Sequence, residues 1–495
     1  MVGRLATVDG SVITSHSCDG NYRTWLEIVP RQKHEEGSML PVLWGTLHTE
    51  TPWDRNKVSQ KGEIPQVAET FAYLNVAYPA MNEKQLAIGE TTITGRRELR
   101  NEEGLFLIEE LQKIALQRCS TARDAIRLMG ALAEEYGYGD WAECLTVADK
   151  KEVWHFEISG SGPGEPSAMW VAQRIPDDHV GVSANIARIS DVDFNNPNYF
   201  LYSKDLKEVA MRNGFWDGEE PFKFHKVISG RKPFAIRDFY VLSTMAPSLN
   251  LSFDAEELPF SVKPDKKVSV EDVMRYYRET YEGTPWDMTQ NLLITVKKKD
   301  DEGNEYEEQV KSPTANPWMS NDLRNLINEL KPGAIERQRT IAIAGCSYSQ
   351  IIQCRDWLPD EIGAIAWFSF DNPGQSPRIP IFSGTLHLPE SFKICGQHRY
   401  RQDAAIWSFR EANRLATVNH ERGRAIIEPA VQHFQQKALS ELPLVERRAA
   451  ELIKAGQNQE AREYITAYTN DFAAATMKRW EENRNQLWLM FGRGF

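Results

Sequence analysis

The sequence predicts an α+β protein built in layers. Three observations predict it. Short strand patterns with period-two alternation fall into two groups along the chain. An amphipathic helical pair separates strands within the first half. From about Gln402 onward the pattern is helical: between Tyr400 and Met490, glycine occurs only at Gly423 and Gly456 and proline only at Pro429 and Pro443. Strand groups and amphipathic helices bury their apolar faces by stacking on one another.

The elements follow in order. Asp9-Gly10 is a tight-turn dipeptide, which predicts a hairpin of Arg4–Val8 with Ser11–Ser17. Alternation puts Ile13, Ser15 and Ser17 on one face and Val12, Thr14 and His16 on the other. Carried one step further, Asp19 joins the Ser15 face and Cys18 points away from it. A second pair is predicted at Phe71–Ala77 and Gln85–Thr91, around a turn at Pro79–Lys84. A helix is expected over Leu105–Arg118. Another starts after Thr121, with Asp124 three residues on in a weak capping-box form, and ends at Gly137. Strands return at Glu143–Ala148, Glu152–Ile158, Ala168–Arg174 and Val180–Ile186, at short spacings that favour antiparallel pairing. Lys297–Asn304 reads as a polar turn between Leu292–Val296 and Tyr306–Val310. Strands at Thr340–Ala344 and Ala364–Phe370 bracket Tyr348–Trp357.

Composition excludes several classes. The chain has 495 residues, 26% charged and 41% hydrophobic, which rules out disordered, collagenous and rod-like proteins. A net charge of −12 argues against nucleic acid as a partner. The basic run Lys297–Lys299 is followed at once by Asp300-Asp301-Glu302, so it reads as a solvated hairpin tip. No apolar stretch approaches eighteen residues, so membrane insertion is not expected. The N-terminus has no basic region leading into an apolar run, and six scattered cysteines do not make a disulfide framework. The expectation for the sequence as given is a reduced, cytoplasmic protein.

Candidate chemistry is sparse at the level of motifs. No HExxH occurs and the ten histidines are dispersed, so neither a metal nor another cofactor is expected. Gly160-Ser161-Gly162-Pro163-Gly164 follows a strand but leads into another strand, and Pro163 lacks an amide donor, so it reads as a hairpin loop rather than a phosphate cradle. No G-x-S-x-G elbow is present. Cys18 lies near His16, yet nothing orients the pair as a nucleophile and base, and a buried core thiol is the better reading. Asp19 reads as a turn carboxylate or a site residue. Asn185 ends the strand predicted at Val180–Ile186, as an oxyanion donor or a turn residue. Arg237, between Phe234 and Phe239-Tyr240, stacks, pairs or reads a substrate carboxylate.

These stretches together resemble a known family. Val2-Gly3 through Asp9-Gly10-Ser11, His16–Gly20, Met81-Asn82-Glu83, Val182–Asn185 with Arg188-Ile189, and Met245–Ser248 resemble the cysteine dipeptidases (dipeptidase A-like) of the N-terminal-nucleophile hydrolase superfamily. These are relatives of penicillin V acylase and bile-salt hydrolase. Trp357-Leu358-Pro359, Ile362-Gly363, Trp367-Phe368, Asp371-Asn372-Pro373, Asn470-Asp471-Phe472 and Trp480 extend the likeness over nearly the whole chain.

The resemblance implies an αββα four-layer sandwich over residues 1–395, with a helical region over 396–495 packed on it. It implies hydrolysis of dipeptides and other short peptides with a free amino end, and relatives that often form homo-oligomers. The family's nucleophile is a cysteine that becomes the first residue of the mature chain. Its own α-amine, with a pKa near ~8, takes the thiol proton. Residue by residue, Asp19 matches the aspartate near that amine, Asn185 an oxyanion-hole donor, and Arg237 an active-site arginine. Where relatives often carry Arg-Asn before the acidic pair, His16-Ser17 stand here. A further asparagine of the acylases falls near Thr92 and is not assigned.

The family's cysteine precedes the Val2-Gly3 pair by a few residues. The sequence begins with Met1 and holds no cysteine before Cys18. The expectation is therefore a dipeptidase whose nucleophile is missing from the chain as given, through a truncated start that would also have carried any export signal. The alternatives are an amidase acting on acylated small molecules, a catalytically silent peptide-binding relative, and self-cleavage before Cys18, which would remove the hairpin strand.

Overall fold

The computed structural model describes residues 1–492. Two antiparallel sheets organise this mixed α/β chain. The first runs in the order Val12–Cys18, Tyr348–Cys354, Ala364–Phe370, Ile379–Phe382. The second has eight strands, in the order Phe200–Tyr202, Ala168–Ile175, Val153–Gly160, Glu143–Ala148, Ala87–Thr92, Met81–Asn82, Tyr73–Asn75, Glu27–Val29.

The sheets meet where Val12–Cys18 lies against Ala87–Thr92 and Glu143–Ala148. Thr14 and Thr146 hydroxyls bond across this interface at 2.6 Å. The approach is close because position 89 is glycine: a Cβ there would lie 2.7 Å from Thr146 Oγ1, 2.9 Å from Ser15 O and 3.1 Å from His16 Cβ.

Helices cover the sheets. Ala122–Tyr136 packs on Glu143–Ala148 and Ala168–Ile175. Its start is capped as expected, with the Thr121 side chain accepting from the Asp124 backbone N–H, and it ends at Gly137 with φ 84°. Ala405–Ala416 packs on Ala364–Phe370, and Asn458–Phe491 on Ile379–Phe382; His420–Lys454 packs along both helices. One continuous cluster of buried apolar side chains runs from the first strand to the last helix, so burial links the tail to the sheets. The Asp371-Asn372-Pro373 stretch serves this junction. Asp371 accepts from Arg410 Nε at 2.8 Å and Asn413 Nδ2 at 2.9 Å, and Asn413 Oδ1 accepts from Trp480 Nε1 at 3.1 Å. Burial alone would raise the Asp371 carboxyl, but Arg414 and Arg410 outweigh it and hold it below the usual range.

Five expectations are corrected. Phe71–Ala77 and Gln85–Thr91 do not pair directly, because the strand Met81–Asn82 lies between them, within the expected turn. Arg4–Val8 is a run of turns rather than a strand, and Val2 is the residue that bridges Ile13. The Thr7 hydroxyl bonds Arg4 O and Ser11 O and accepts from Gly10 N–H, closing a wider loop than Asp9-Gly10 alone would make. Strand structure at Val180–Ile186 stops at Gly181, and further on Asn185 takes φ 59°, which a pleat does not accommodate. Thr340–Ala344 is irregular, while Tyr348–Cys354 is the strand between Val12–Cys18 and Ala364–Phe370. Lys297–Lys299 belongs to the strand Leu293–Lys299, paired with Glu305–Lys311, so the tip is only Asp300–Asn304. Opposite charges pair across that hairpin, with Lys298 Nζ 2.6 Å from Glu308. Among the described residues, no helix is long and apolar enough to cross a membrane.

Candidate active site

The end of the Val12–Cys18 strand, the end of Ala87–Thr92, the 182–185 loop and Arg237 converge on a cavity of about 240 Å³. Asp19, Asn185 and Arg237 all line it, together with Arg339. A smaller cavity of about 110 Å³ shares Ser15, Ser17, Ser183, Arg237 and Tyr277 with it and is lined by Met1 and Val2. Both are small beside the roughly 300–1,000 Å³ of pockets for drug-sized ligands, which suits a substrate of few residues.

The amino end is built into this wall. Val2 bridges Ile13 on one side and Val180 on the other. The Met1 amine donates to Gly181 O at 3.0 Å, and burial lowers its pKa to about 5.

Asn185 is held in the left-handed region, which asparagine tolerates. Its Nδ2 donates to Thr92 O at 2.7 Å, and its Oδ1 accepts from Arg237 Nη2 at 2.8 Å. One Nδ2 hydrogen therefore remains for a ligand. Arg237 sits in the first turn of the helix Ile236–Met245, and the same Nη2 donates to Ala184 O at 3.0 Å. The guanidinium holds the 184–185 loop. Burial, then the neighbouring Arg339, lower its pKa.

Asp19 is exposed, whereas Cys18 is buried. The Asp19 carboxylate pairs with the Arg339 guanidinium. Arg339 is the residue that sequence reasoning missed. It lies 320 positions away from Asp19, in a segment expected to enter a strand, and no local pattern marks it.

Two buried groups line the same cavity. His16 Nδ1 lies against the Glu90 backbone, and burial lowers its pKa to about 4, so it is neutral. Glu90 is pushed up to about 7 by burial, beside Glu143, which is pushed well above its ordinary value for the same reason.

A polar chain also runs from the cavity wall into the core. The Ser183 hydroxyl donates to Cys144 Sγ at 3.2 Å; Cys144 Sγ lies 3.5 Å from His155 Nδ1 and 3.3 Å from His155 Nε2; and His155 Nε2 lies 2.9 Å from Glu157 Oε1. Glu157 also accepts from the Arg188 and Ile189 backbone N–H groups. This is a thiol, imidazole and carboxylate in the order of a nucleophilic triad. Yet all three side chains are fully buried, and burial pushes the Cys144 thiol well up. The arrangement anchors Ser183 and the 188–189 backbone rather than presenting a thiolate. Its signal was in the sequence: His155 and Glu157 share one face of a strand, and Cys144 stands directly opposite Glu157.

Comparison with known proteins places the chain in a family. Residues 1–436 match Peptidase family C69. A probable dipeptidase from Latilactobacillus sakei is 24% identical over 493 residues, covering 96% of this chain and 90% of its own. Dipeptidase A from Lactobacillus helveticus is 20% identical over 495 residues, covering 94% and 90%. A probable dipeptidase from Salmonella dublin is 24% identical over 407 residues, covering 78% and 80%. With most of its length matched by the family, from the bridging Val2 through the first of the C-terminal helices, the chain belongs to peptidase family C69.

Proposed function

We propose that this protein is a dipeptidase that hydrolyses short peptides with a free amino end by the N-terminal-nucleophile route. One observation carries the reading: Asp19, Asn185 and Arg237, from three separated parts of the chain, line one small cavity beside the buried amino end. The names of the relatives point the same way. We read the fold as the αββα sandwich of this superfamily, over residues 1–395, with residues 396–495 as a helical region packed on it.

In this reading the nucleophile is the cysteine that the family resemblance implies a few residues before Val2-Gly3. Its α-amine takes the thiol proton, with Asp19 positioning that amine. The thiolate attacks the peptide carbonyl, forming a C–S bond. The remaining Nδ2 hydrogen of Asn185 stabilises the oxyanion. Collapse breaks the C–N bond, the protonated amine returns its proton to the leaving amino group, and water then hydrolyses the thioester.

The test is a comparison of free dipeptides with their N-acetylated forms, carried out on protein bearing the upstream cysteine. Release of amino acids from the free dipeptides alone supports the reading. A preference for the acylated forms makes the protein an amidase, and binding without turnover makes it a silent relative.

A further inference from the structure

We propose that Arg339 receives the C-terminal carboxylate of the peptide substrate, an inference that rests on the dipeptidase reading above. The cavity holds two guanidiniums, and they are not equivalent. Arg237 is half-buried in the wall, and its Nη2 is used on Ala184 O and Asn185 Oδ1. It shapes the loop. The Arg339 side chain is 34% exposed and lines the same cavity.

Two bonds hold Arg339 inside the protein: Nη2 to the Asp19 carboxylate, and Nη1 to Thr340 O at 2.6 Å. A guanidinium carries five N–H donors in a rigid fork, so three remain for an anion. Its backbone is fixed as well, because Tyr281 Oη donates to Arg339 O at 3.0 Å. A tethered arginine with spare donors, at a cavity of about 240 Å³, is suited to bidentate capture of a carboxylate.

The charges favour the same ligand. The acids in the cavity wall are Asp19 and Glu90, and burial disfavours the charged form of Glu90, so the two arginines are not fully balanced. An incoming carboxylate completes that balance. In so small a cavity it lies close to the scissile bond, so the residue selects dipeptides over peptide amides and longer chains.

The test uses calorimetric binding of Ala-Leu and of its C-terminal amide, which needs no turnover. Wild-type protein is expected to prefer the free acid. In Arg339→Ala that preference falls by about 10- to 100-fold, the loss of a hydrogen bond to a charged group. Arg339→Lys, which keeps the charge and loses the fork, recovers part of it, and Arg339→Gln does not. Thermal unfolding of each variant identifies any that fails to fold, and the remaining variants carry the comparison. Equal weakening for acid and amide, or an unchanged preference, overturns the assignment of Arg339 alone. Wild-type protein that binds neither ligand overturns the dipeptidase reading, and this inference with it.

Discussion

Arg237 Nη2 and Asn185 Oδ1 bond at 2.8 Å across the cavity wall, joining the first turn of a helix to a loop 52 residues earlier in the chain. The bond fixes which way the Asn185 amide faces. With Oδ1 accepting from Arg237 and one Nδ2 hydrogen on Thr92 O, the second Nδ2 hydrogen is the donor this side chain has left for a ligand. The loop backbone is turned to present it, at φ 59°.

This orientation separates two roles by substitution. Asn185→Asp keeps an acceptor for Arg237 and tolerates the backbone, but removes the donor. We expect kcat to fall on the order of 100-fold, together with a stability loss of about 1–3 kcal/mol, because the Nδ2 bond to Thr92 O is lost as well. Asn185→Ala loses the donor too and pays roughly 1–2 kcal/mol for the left-handed backbone. The combined Asn185→Ala and Arg237→Ala variant should fall short of additivity, with a coupling of about 0.5–3 kcal/mol. A rate for Asn185→Asp within twofold of wild type would remove Asn185 from the oxyanion role.

The Cys144–His155–Glu157 chain predicts an unreactive thiol beside an imidazole. All six cysteines are free and buried, so alkylation should be slow in the native protein and reach six thiols only after unfolding. Glu157→Ala leaves His155 and the 188–189 amides without their shared acceptor. We expect it to cost about 3 kcal/mol or more in urea unfolding. Rapid native labelling of Cys144 would contradict the anchoring role.

Burial gives Glu90 a defined pH signature. Its folded pKa of about 7 stands above the ordinary value of 4.5, so the folded state binds more protons between those limits. Its contribution to stability is present below pH 4.5 and is lost as pH rises through about 7. Glu90→Gln removes that loss. The stability of the variant relative to wild type should therefore increase from pH 5 to pH 8, measured by urea unfolding at each pH. A difference that stays flat, or shrinks, would contradict the burial argument.

The interface between the sheets predicts a steric effect. Gly89→Val places a branched side chain where a single Cβ already meets Thr146 Oγ1 at 2.7 Å and Ser15 O at 2.9 Å. We expect about 1–3 kcal/mol of destabilisation from overpacking. Because Ser15 and His16 line the cavity, a loss of dipeptide binding should accompany it. Unchanged stability would mean that the sheets yield at this point.

Several elements were legible from the sequence because their causes are local. The strands Glu143–Ala148 and Ala364–Phe370 lie where expected, since their apolar content and bounding turns are contained within a few residues. The same holds for the helix from Thr121 to Gly137, whose cap and stop are read from single side chains. Val180–Ile186 failed for the converse reason. Its composition suits a strand, but strand structure there is confined to Val180–Gly181, paired with Ser261–Val262, and the left-handed Asn185 is stabilised by Arg237 and Thr92 from elsewhere in the chain.

The sequence by itself determined the α+β character, the helical tail and, through the family likeness, Asp19, Asn185 and Arg237 as the residues to examine. Tertiary structure decided how they are used. It paired Asp19 with Arg339 across 320 positions, turned the Asn185 amide toward the cavity, and sank the Cys144, His155 and Glu157 side chains where water cannot reach them. Contacts between distant segments leave no periodic trace in either segment. The ionisation of a buried group is set by the desolvation and the charges that the completed fold places around it.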